Sequence, residues 1–499
     1  MFRKLEYKWL VAIVFVIGMF MDILDTTIVN VAIPKLGAQL GAGGSIQWVA
    51  TGYMLSLAVW IPGSGWIGDK FGTKRVFIFA LTMFTVASAL CGAANSVNQL
   101  IGFRILQGVG GGMLTPVGTA MLYRAFPPAE RARASAVITI PIVIAPALGP
   151  VLGGFIVDNF SWRWIFYINL PIGIVGVVFA AVLLKEEKQP RAGRFDIMGF
   201  LLSGAGLALL LYGLDLAHQQ NAKHEIEYGW GHPLTLTVLA SGAFCFAALV
   251  AVETRIVKEP MLQLRLFGER MFRNGNITGF LVFGGFIAGV FLLPFYVQAF
   301  RGESALTSGL VQLPQAVGVI LVGRVVALKY PAIGPKRFLL SGVIGASLAT
   351  FGLVFVGATT SLWVPAALFF VRGVFMAQVF IPLNAATFSK ISGRETGNAS
   401  ALYQTVRQIG SSLAVALSFT IMGWRMPIRV NAALAELTTG ADGAAHAAAT
   451  AVGQVAAFHD AVLACSLISL LGLVGVLLIR DEDAAASMGK KSDDGASAH

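Results

Sequence analysis

Long apolar runs, each closed by charges or turn residues, recur along nearly the whole chain. They fall at 9–34, 46–68, 76–95, 99–123, 134–157, 162–184, 196–217, 233–252, 274–299, 305–327, 338–357, 362–388, 398–423 and 457–479. Most reach the ~20 residues that an α-helix needs to cross the hydrocarbon core of a bilayer. They are too long and too uniformly apolar for barrel strands, which leaves the helix as the backbone that satisfies its own hydrogen bonds in lipid. The pattern predicts an all-α polytopic membrane protein with fourteen spans.

Composition agrees: 56% of the 499 residues are hydrophobic, only 12% are charged, and mean hydropathy is +0.76. Such a chain lacks the polar residues to cover a water-facing surface, which excludes a soluble enzyme, a nucleic-acid binder and a disordered scaffold. Net charge is +11, and its placement is informative. With the N-terminus in the cytoplasm, 26 of the 36 Lys and Arg residues fall in inner segments, 6 in outer loops, and four (Arg104, Arg324, Arg372, Arg407) inside spans. That bias puts both termini in the cytoplasm and explains the basic excess without a nucleic-acid partner. Cys91, Cys245 and Cys465 lie in apolar stretches without metal-ligand spacing, so neither a metal site nor a disulfide framework is expected. Residues 1–6 run into the first apolar segment without a small-residue cleavage site and read as leading into a retained span.

An internal repeat runs through the pattern. Arg104–Ala136 and Arg372–Ala401 each hold an intramembrane arginine, a Gly/Ala-rich stretch, a proline (Pro116, Pro382), a short basic loop and an Ala-Ser-Ala restart. Two related bundles around a cavity are the expected plan. The division is a six-helix bundle over 1–195, two inserted helices over 196–252, a second six-helix bundle over 253–480, and a disordered cytoplasmic tail over 481–499. Residues 424–456 form an alanine-rich, weakly amphipathic outer loop in which a short surface helix is possible.

Charges at membrane depth are costly and mark function by default. Asp22 stands roughly 18 Å into the first span at 1.5 Å per residue, and Asp25 follows at i+3 on the same face. Two carboxylates side by side in a low dielectric favour proton exchange by one of them; the bland alternative is a structural carboxylate bonded to neighbouring helices. Arg104 and Gln107 precede the glycine run 108–112, which lets another backbone approach, so Arg104 either pairs with a first-span acid or holds bundle carbonyls. Between spans 2 and 3, Gly65, Asp69, Gly72, Lys74 and Arg75 form an ordered basic turn. Asp69 is expected near a helix N-terminus, with Lys74 and Arg75 gripping the neighbouring bundle; the alternative is a plain topology signal. Span 5 holds three prolines and Gly149, Gly153 and Gly154, which predicts a kinked helix with a flat face suited to a gate. Asn30 and Gln107 are candidate cavity residues. Asp215 with His218, and His459 with Asp460, are weaker candidates.

Several of these stretches together resemble the major facilitator superfamily, and within it the fourteen-span drug:proton antiporter family (EmrB/QacA-like). The likeness spans residues 9 to about 425. Leu24–Pro34 matches that family's first-span pattern, Gly65–Arg75 its loop pattern, Arg104–Gly108 its R-x-x-Q-G, and Gly149–Gly154 with Pro150 its antiporter signature G-P-x-x-G-G. Trp162–Gly173 resembles its sixth-span entry. Ala136 and Ala145 stand where the antiporter pattern has glycines, and the second half's loop, Gly323–Arg337, is longer and lacks the aspartate. The resemblance implies proton coupling through Asp25 assisted by Arg104, an inner gate at Asp69 and Arg75, and control of bending and leak by Gly149–Gly154. Asp22 is not part of that pattern; its candidacy rests on depth and spacing.

The expectation is a monomeric plasma- or inner-membrane multidrug antiporter that exports lipophilic, often cationic, small molecules against protons, without a cofactor. Lipid and substrate are its only expected partners. A dedicated exporter of an endogenous lipid, siderophore or antibiotic is the first alternative, and a non-transporting membrane receptor the second. No nucleophile–base pair or metal-spaced cluster points to an enzyme.

Overall fold

The computed structural model describes residues 6–40, 46, 48–187, 195–218, 229–257, 260–436 and 443–489. Among them all regular structure is helical. The long helices of the first half are α1 (Tyr7–Leu40), α2 (Trp48–Phe71), α3 (Thr73–Ala93), α4 (Val97–Ala125) and α5 (Arg131–Asn159), followed by the short α6 (Trp164–Tyr167) and α7 (Asn169–Leu183). α8 (Ile197–His218) and α9 (Pro233–Arg255) come next. The second half holds α10 (Arg270–Pro294), α11 (Ala305–Ile333), α12 (Pro335–Phe351), α13 (Trp363–Thr387), α14 (Thr396–Ala435), α15 (Gly443–Leu471) and the short α16 (Leu473–Leu478).

Twelve helical segments among the described residues are long and apolar enough to cross a membrane. α2 and α4 are not among the twelve. α4 is diluted by glycine, and its glycines are where neighbouring backbones come closest. A Cβ at Gly110 would stand 2.5 Å from the Ala80 carbonyl oxygen of α3, and one at Gly112 2.5 Å from that of Leu57 in α2. Low hydropathy in α4 thus reflects burial against protein, where close backbone contact replaces apolar side chains.

α1, α3, α4 and α7 pack together in the first half, and α10 with α13, α14 and α15 in the second. The halves meet along two seams: α5 lies against α11 and α13, and α14 lies against α2 and α4. α8 packs on both α2 and α14, covering the second seam, while α9 packs on α8. Despite Pro141, Pro146 and Pro150, α5 is one continuous helix, so the expected kink does not interrupt it.

Two expectations are corrected. The outer loop over 424–456 is no loop at its flanks: α14 runs on to Ala435 and α15 begins at Gly443. The two extensions are clamped by Asp460, whose carboxylate accepts bonds from Arg425 Nε (2.8 Å) and from Arg429 Nε and Nη2 (2.9 and 2.8 Å). The stretch from Asp481 is not disordered as far as Gly489. Glu482–Met488 forms a 3-10 turn that buries Ala484, Ser487 and Met488. Ser487 Oγ lies 2.7 Å from the Tyr330 hydroxyl, and Lys390 Nζ is 2.7 Å from Asp483. Small apolar residues at this spacing find a groove beside α11, which offsets the entropy of ordering them. Residues 188–194 with their basic side chains, 219–228, and 490–499 of the tail lie outside the described residues.

Candidate functional site

The first-span acids occupy different surroundings. Asp25 is fully buried. Its Oδ2 accepts a bond from Arg104 Nη1 at 2.5 Å, and its Oδ1 accepts from Gln107 Nε2 (2.9 Å) and Asn169 Nδ2 (3.0 Å). Arg104 also donates to the Val49 carbonyl (Nε, 3.0 Å) and to Gln107 Oε1 (Nη1, 2.9 Å). Asn169 Nδ2 is 3.0 Å from Asp25 and 3.1 Å from Ser88 Oγ, which itself donates to the Phe166 carbonyl at 2.9 Å. Four helices, α1, α3, α4 and α7, thus close a polar cluster around one ion pair, the arrangement that makes a buried charge tolerable.

Asp22 faces a cavity instead. Its Oδ1 accepts from the Tyr53 hydroxyl at 2.5 Å, and Thr115 Oγ1 stands 3.5 Å from its Oδ2. Tyr53 joins the two sites: its ring lies under the Arg104 guanidinium, 4.1 Å from Cζ to centroid. A change of charge on Asp22 therefore acts on the residue that also shields Arg104, and through it on Asp25.

The cavity holds about 530 Å³ between the halves. Asp22, Thr26, Asn30, Thr115, Asp215 and Arg407 line it among a majority of apolar groups such as Met19, Ile23, Leu57, Ile287 and Phe419. Its size is that of pockets for drug-sized molecules. Asn30 is where the sequence placed it. Gln107 is not: it is buried in the Asp25 cluster and does not line the cavity. Asp215 is brought to the cavity by α8, with Thr51 Oγ1 3.3 Å away; the His218 side chain lies outside the described residues. His459 bonds the Val356 carbonyl (2.9 Å), and Asp460 belongs to the arginine clamp, so neither lines the cavity.

At the end of the bundle that carries Tyr7, the halves are in contact. Asp69 accepts from Arg124 Nη2 at 2.5 Å and abuts Gly397 in the first turn of α14, where partial positive charge favours an anion. Arg124 Nε donates to the Gly393 carbonyl (3.0 Å), Arg131 donates to the carbonyls of Phe388 and Ile391, and Ser400 Oγ donates to the Pro116 carbonyl (2.9 Å). Gly65 belongs to this seam: a Cβ there would stand 2.5 Å from the Gly397 oxygen. Lys74 and Arg75 do not cross it. Lys74 Nζ caps the Ala181 carbonyl in the last turn of α7 (2.6 Å), and Arg75 Nε is 3.4 Å from Glu186, both within the first half. Gly72, at φ +97°, makes the turn before α3.

Gly149 presses α5 onto α1, where a Cβ would collide with the Thr27 side chain; Gly154 faces Ala305 and Leu306 of α11. Pro150 and Gly153 are buried in the same stretch. The missing aspartate of the second half's loop has a counterpart from the far end of the sequence: Asp481 Oδ1 accepts the Lys336 backbone N–H (3.0 Å) beside Gly334.

Sequence reasoning gave no role to Tyr53, Asn169, Arg124, Arg131 and Arg407. A tyrosine and an asparagine inside apolar runs, and the fourth intramembrane arginine, were the available signals. Nothing local marks Arg124 and Arg131 as reaching the other half.

Residues 15–415 match the family profile of the Major Facilitator Superfamily. The chain belongs to that superfamily. It is 32% identical over 413 residues to a Multidrug resistance protein B homolog of Mycobacterium tuberculosis, covering 82% of this chain and 75% of the relative. A Putative multidrug resistance protein MdtD of Serratia proteamaculans is 32% identical over 421 residues, covering 83% and 84%. Among solved structures, the human organic anion transporter MFSD10 superposes with a TM-score of 0.63 at 14% identity, covering 94% of this chain and 99% of that one. The proton:xylose symporter XylE superposes at 0.58 with 14% identity, covering 94% of each. The structural likenesses show the fold; the family match and the long apolar helices make the protein a multi-pass membrane transporter of that superfamily.

Proposed function

We propose that this transporter is a fourteen-span antiporter of the cell membrane that exports lipophilic, cationic compounds in exchange for protons. The observation that carries the reading is the linkage of Asp22 in the cavity, through Tyr53, to the sealed Asp25–Arg104 pair. A carboxylate there either takes up a proton or attracts a cation, and each event alters its hold on Tyr53. Exchange follows when both ligands compete for one charge and the loaded states differ in which end is open. The membrane potential adds about 2.3 kcal/mol per elementary charge per 100 mV.

The fourteen-span count is supported by which chain segments share an end. Tyr7 bonds Lys185 after α7, Lys8 pairs with Glu130 after α4, and the turn between α2 and α3 meets Glu186. With the start of α1 and the ends of α2, α4 and α7 at one end, α2 and α4 each run the full depth. At 1.5 Å per residue their 24 and 29 residues reach roughly 36 and 44 Å, beyond the ~30 Å core. Asp481 and Asp483 join the same end, which the excess of Lys and Arg assigns to the cytoplasm. Two six-helix bundles, with α8 and α9 inserted between them, rock about the cavity. In this conformation the cytoplasmic seam through Asp69, Arg124 and Arg131 is closed.

The test is transport in proteoliposomes with an imposed pH gradient and ethidium as the lipophilic cation. Dye movement that requires the gradient and stops with a protonophore is expected. Dye flux indifferent to the gradient, or none, overturns the proposal.

A further inference from the structure

We infer that Arg407 is an anion-binding subsite within the cavity, so that its substrates include lipophilic acids and zwitterions. This rests on the reading that the cavity is the transport site, and extends it to a class of substrate that Asp22 alone does not select.

Arg407 sits on α14, in the half of the chain that does not carry α1; it lines the cavity and is nine-tenths buried. Its guanidinium lies on the Phe283 ring, 3.3 Å from Cζ to centroid, with the Tyr403 ring at 5.3 Å. Among the described residues it bonds no protein group, and its Nε is buried without a hydrogen-bond partner. Among the described residues each of the other buried arginines has at least one protein hydrogen-bond partner, although Nε of Arg131 and of Arg372 is unpartnered as well. Arg104 has Asp25, Arg372 has Gln315 and the Phe286 carbonyl, and Arg131 has two carbonyls.

A guanidinium offers five N–H donors in a planar fork. Aromatic faces compensate its charge in part, but leave those donors unmet. Here they belong to a side chain that lines an open cavity. Gln404 and Ser411, at i−3 and i+4 on the same helix, line the cavity beside it and add polar groups at helical-neighbour spacing. A carboxylate, phosphate or sulfonate matches the fork. The apolar wall formed by Ile287, Phe291, Val415 and Phe419 then accepts the body of the molecule. Asp22, already holding Tyr53, lines the same cavity and supplies a negative charge for a cationic group of a zwitterion.

The experiment uses purified full-length protein in nanodiscs with two probes of equal chain length, dodecanoate and dodecyltrimethylammonium, and inorganic phosphate as a competitor. Wild-type protein is expected to bind both amphiphiles, with phosphate a poor competitor. Arg407→Gln should weaken dodecanoate binding roughly tenfold or more, the loss expected of a charge-assisted bidentate contact, and leave the cation unaffected or tighter. A second measurement needs no variant. Phenylglyoxal should modify Arg407 in wild-type protein, and dodecanoate, not dodecyltrimethylammonium, should protect it. Equal weakening of both probes, unchanged dodecanoate affinity, or protection by the cation overturns the assignment; strong competition by phosphate supports the anion subsite and overturns the claim that its substrates are lipophilic acids. Binding of the cation without the carboxylate overturns only this inference; binding of neither removes the cavity as the transport site.

Discussion

Gly65→Ala tests whether the seam at the Tyr7 end of the bundle is a gate. The added methyl would stand 2.5 Å from the Gly397 carbonyl oxygen and 2.7 Å from its carbon, both backbone atoms in the first turn of α14. Ordinary contact begins at 3.4 Å, so α2 must move off α14 by roughly 0.9 Å. No flexible side chain can yield in its place. Overpacking of this kind costs about 1–3 kcal/mol. That cost falls only on the conformation in which the helices touch. If the two end states are otherwise balanced, it shifts their ratio about 5- to 150-fold toward the open seam. Ser400, fully buried and bonded to the Pro116 carbonyl across the same seam, reports the change. With Cys91, Cys245 and Cys465 replaced, a single Ser400→Cys should be alkylated by N-ethylmaleimide at least severalfold faster in the Gly65→Ala background. Gly102→Ala, where no atom lies within 4 Å, is the control and should change nothing. Equal alkylation rates in the Gly65→Ala and parent backgrounds would refute the claim that this contact closes the seam.

The remaining substitutions separate the roles of the charged groups. Asp25→Asn leaves the Arg104 guanidinium uncompensated at 1% exposure, so about 3–5 kcal/mol of stability should be lost along with gradient-driven flux, read as a lowered Tm and a flat transport trace. Asp22→Asn should also abolish gradient-driven flux, but with Tm nearly unchanged because the amide oxygen still accepts from Tyr53; wild-type flux in this variant refutes its role as the competing site. Asp69→Asn keeps the packing against Gly397 and weakens the hold on Arg124, so turnover should slow while ethidium binding persists, and unchanged turnover would reduce the loop to a topology signal. Asp460→Asn releases Arg425 and Arg429 at partly exposed positions, for which a loss of roughly 1 kcal/mol or less, shrinking with added salt, is expected in thermal melting.

How much of this was legible in the sequence depended on whether the information was local. Apolar run length gave the helices, and the costly charges gave Asp22, Asp25 and Arg104. Three residues along a helix turn the chain by about 300°, so the two acids differ by about 60° in direction. That difference sends Asp25 into the cluster of α3, α4 and α7 and Asp22 into the cavity, and no i, i+3 rule foretells which neighbour each meets. Arg131 bonds carbonyls more than 250 residues away, and Ser400 a carbonyl 284 residues away. Contacts of that range leave no periodic trace. The α14–α15 extensions were hidden for a different reason: alanine-rich sequence with a few arginines reads as surface until Asp460 of α15 is seen to hold two arginines of α14.

The internal repeat kept its arginine but not its acid, which gives a last prediction. Arg104 and Arg372 begin the two repeated stretches, yet Arg104 meets a carboxylate while Arg372 Nη1 donates to Gln315 Oε1 at 2.9 Å and its Nη2 to the Phe286 carbonyl at 2.7 Å. Among the described residues neither Gln315 nor Arg372 lines the cavity, and no tyrosine joins them to a cavity acid as Tyr53 does in the first half. If coupling needs an acid whose charge is felt in the cavity, a carboxylate added beside Arg372 should be inert. Gln315→Glu should keep or raise Tm, since it turns a bond from a charged donor to a neutral acceptor into an ion pair. The number of protons moved per ethidium, measured from paired pH and dye signals in proteoliposomes, should stay at the parent value. A higher ratio would mean that burial beside an arginine is enough for coupling, and that the Tyr53 link to the cavity is incidental.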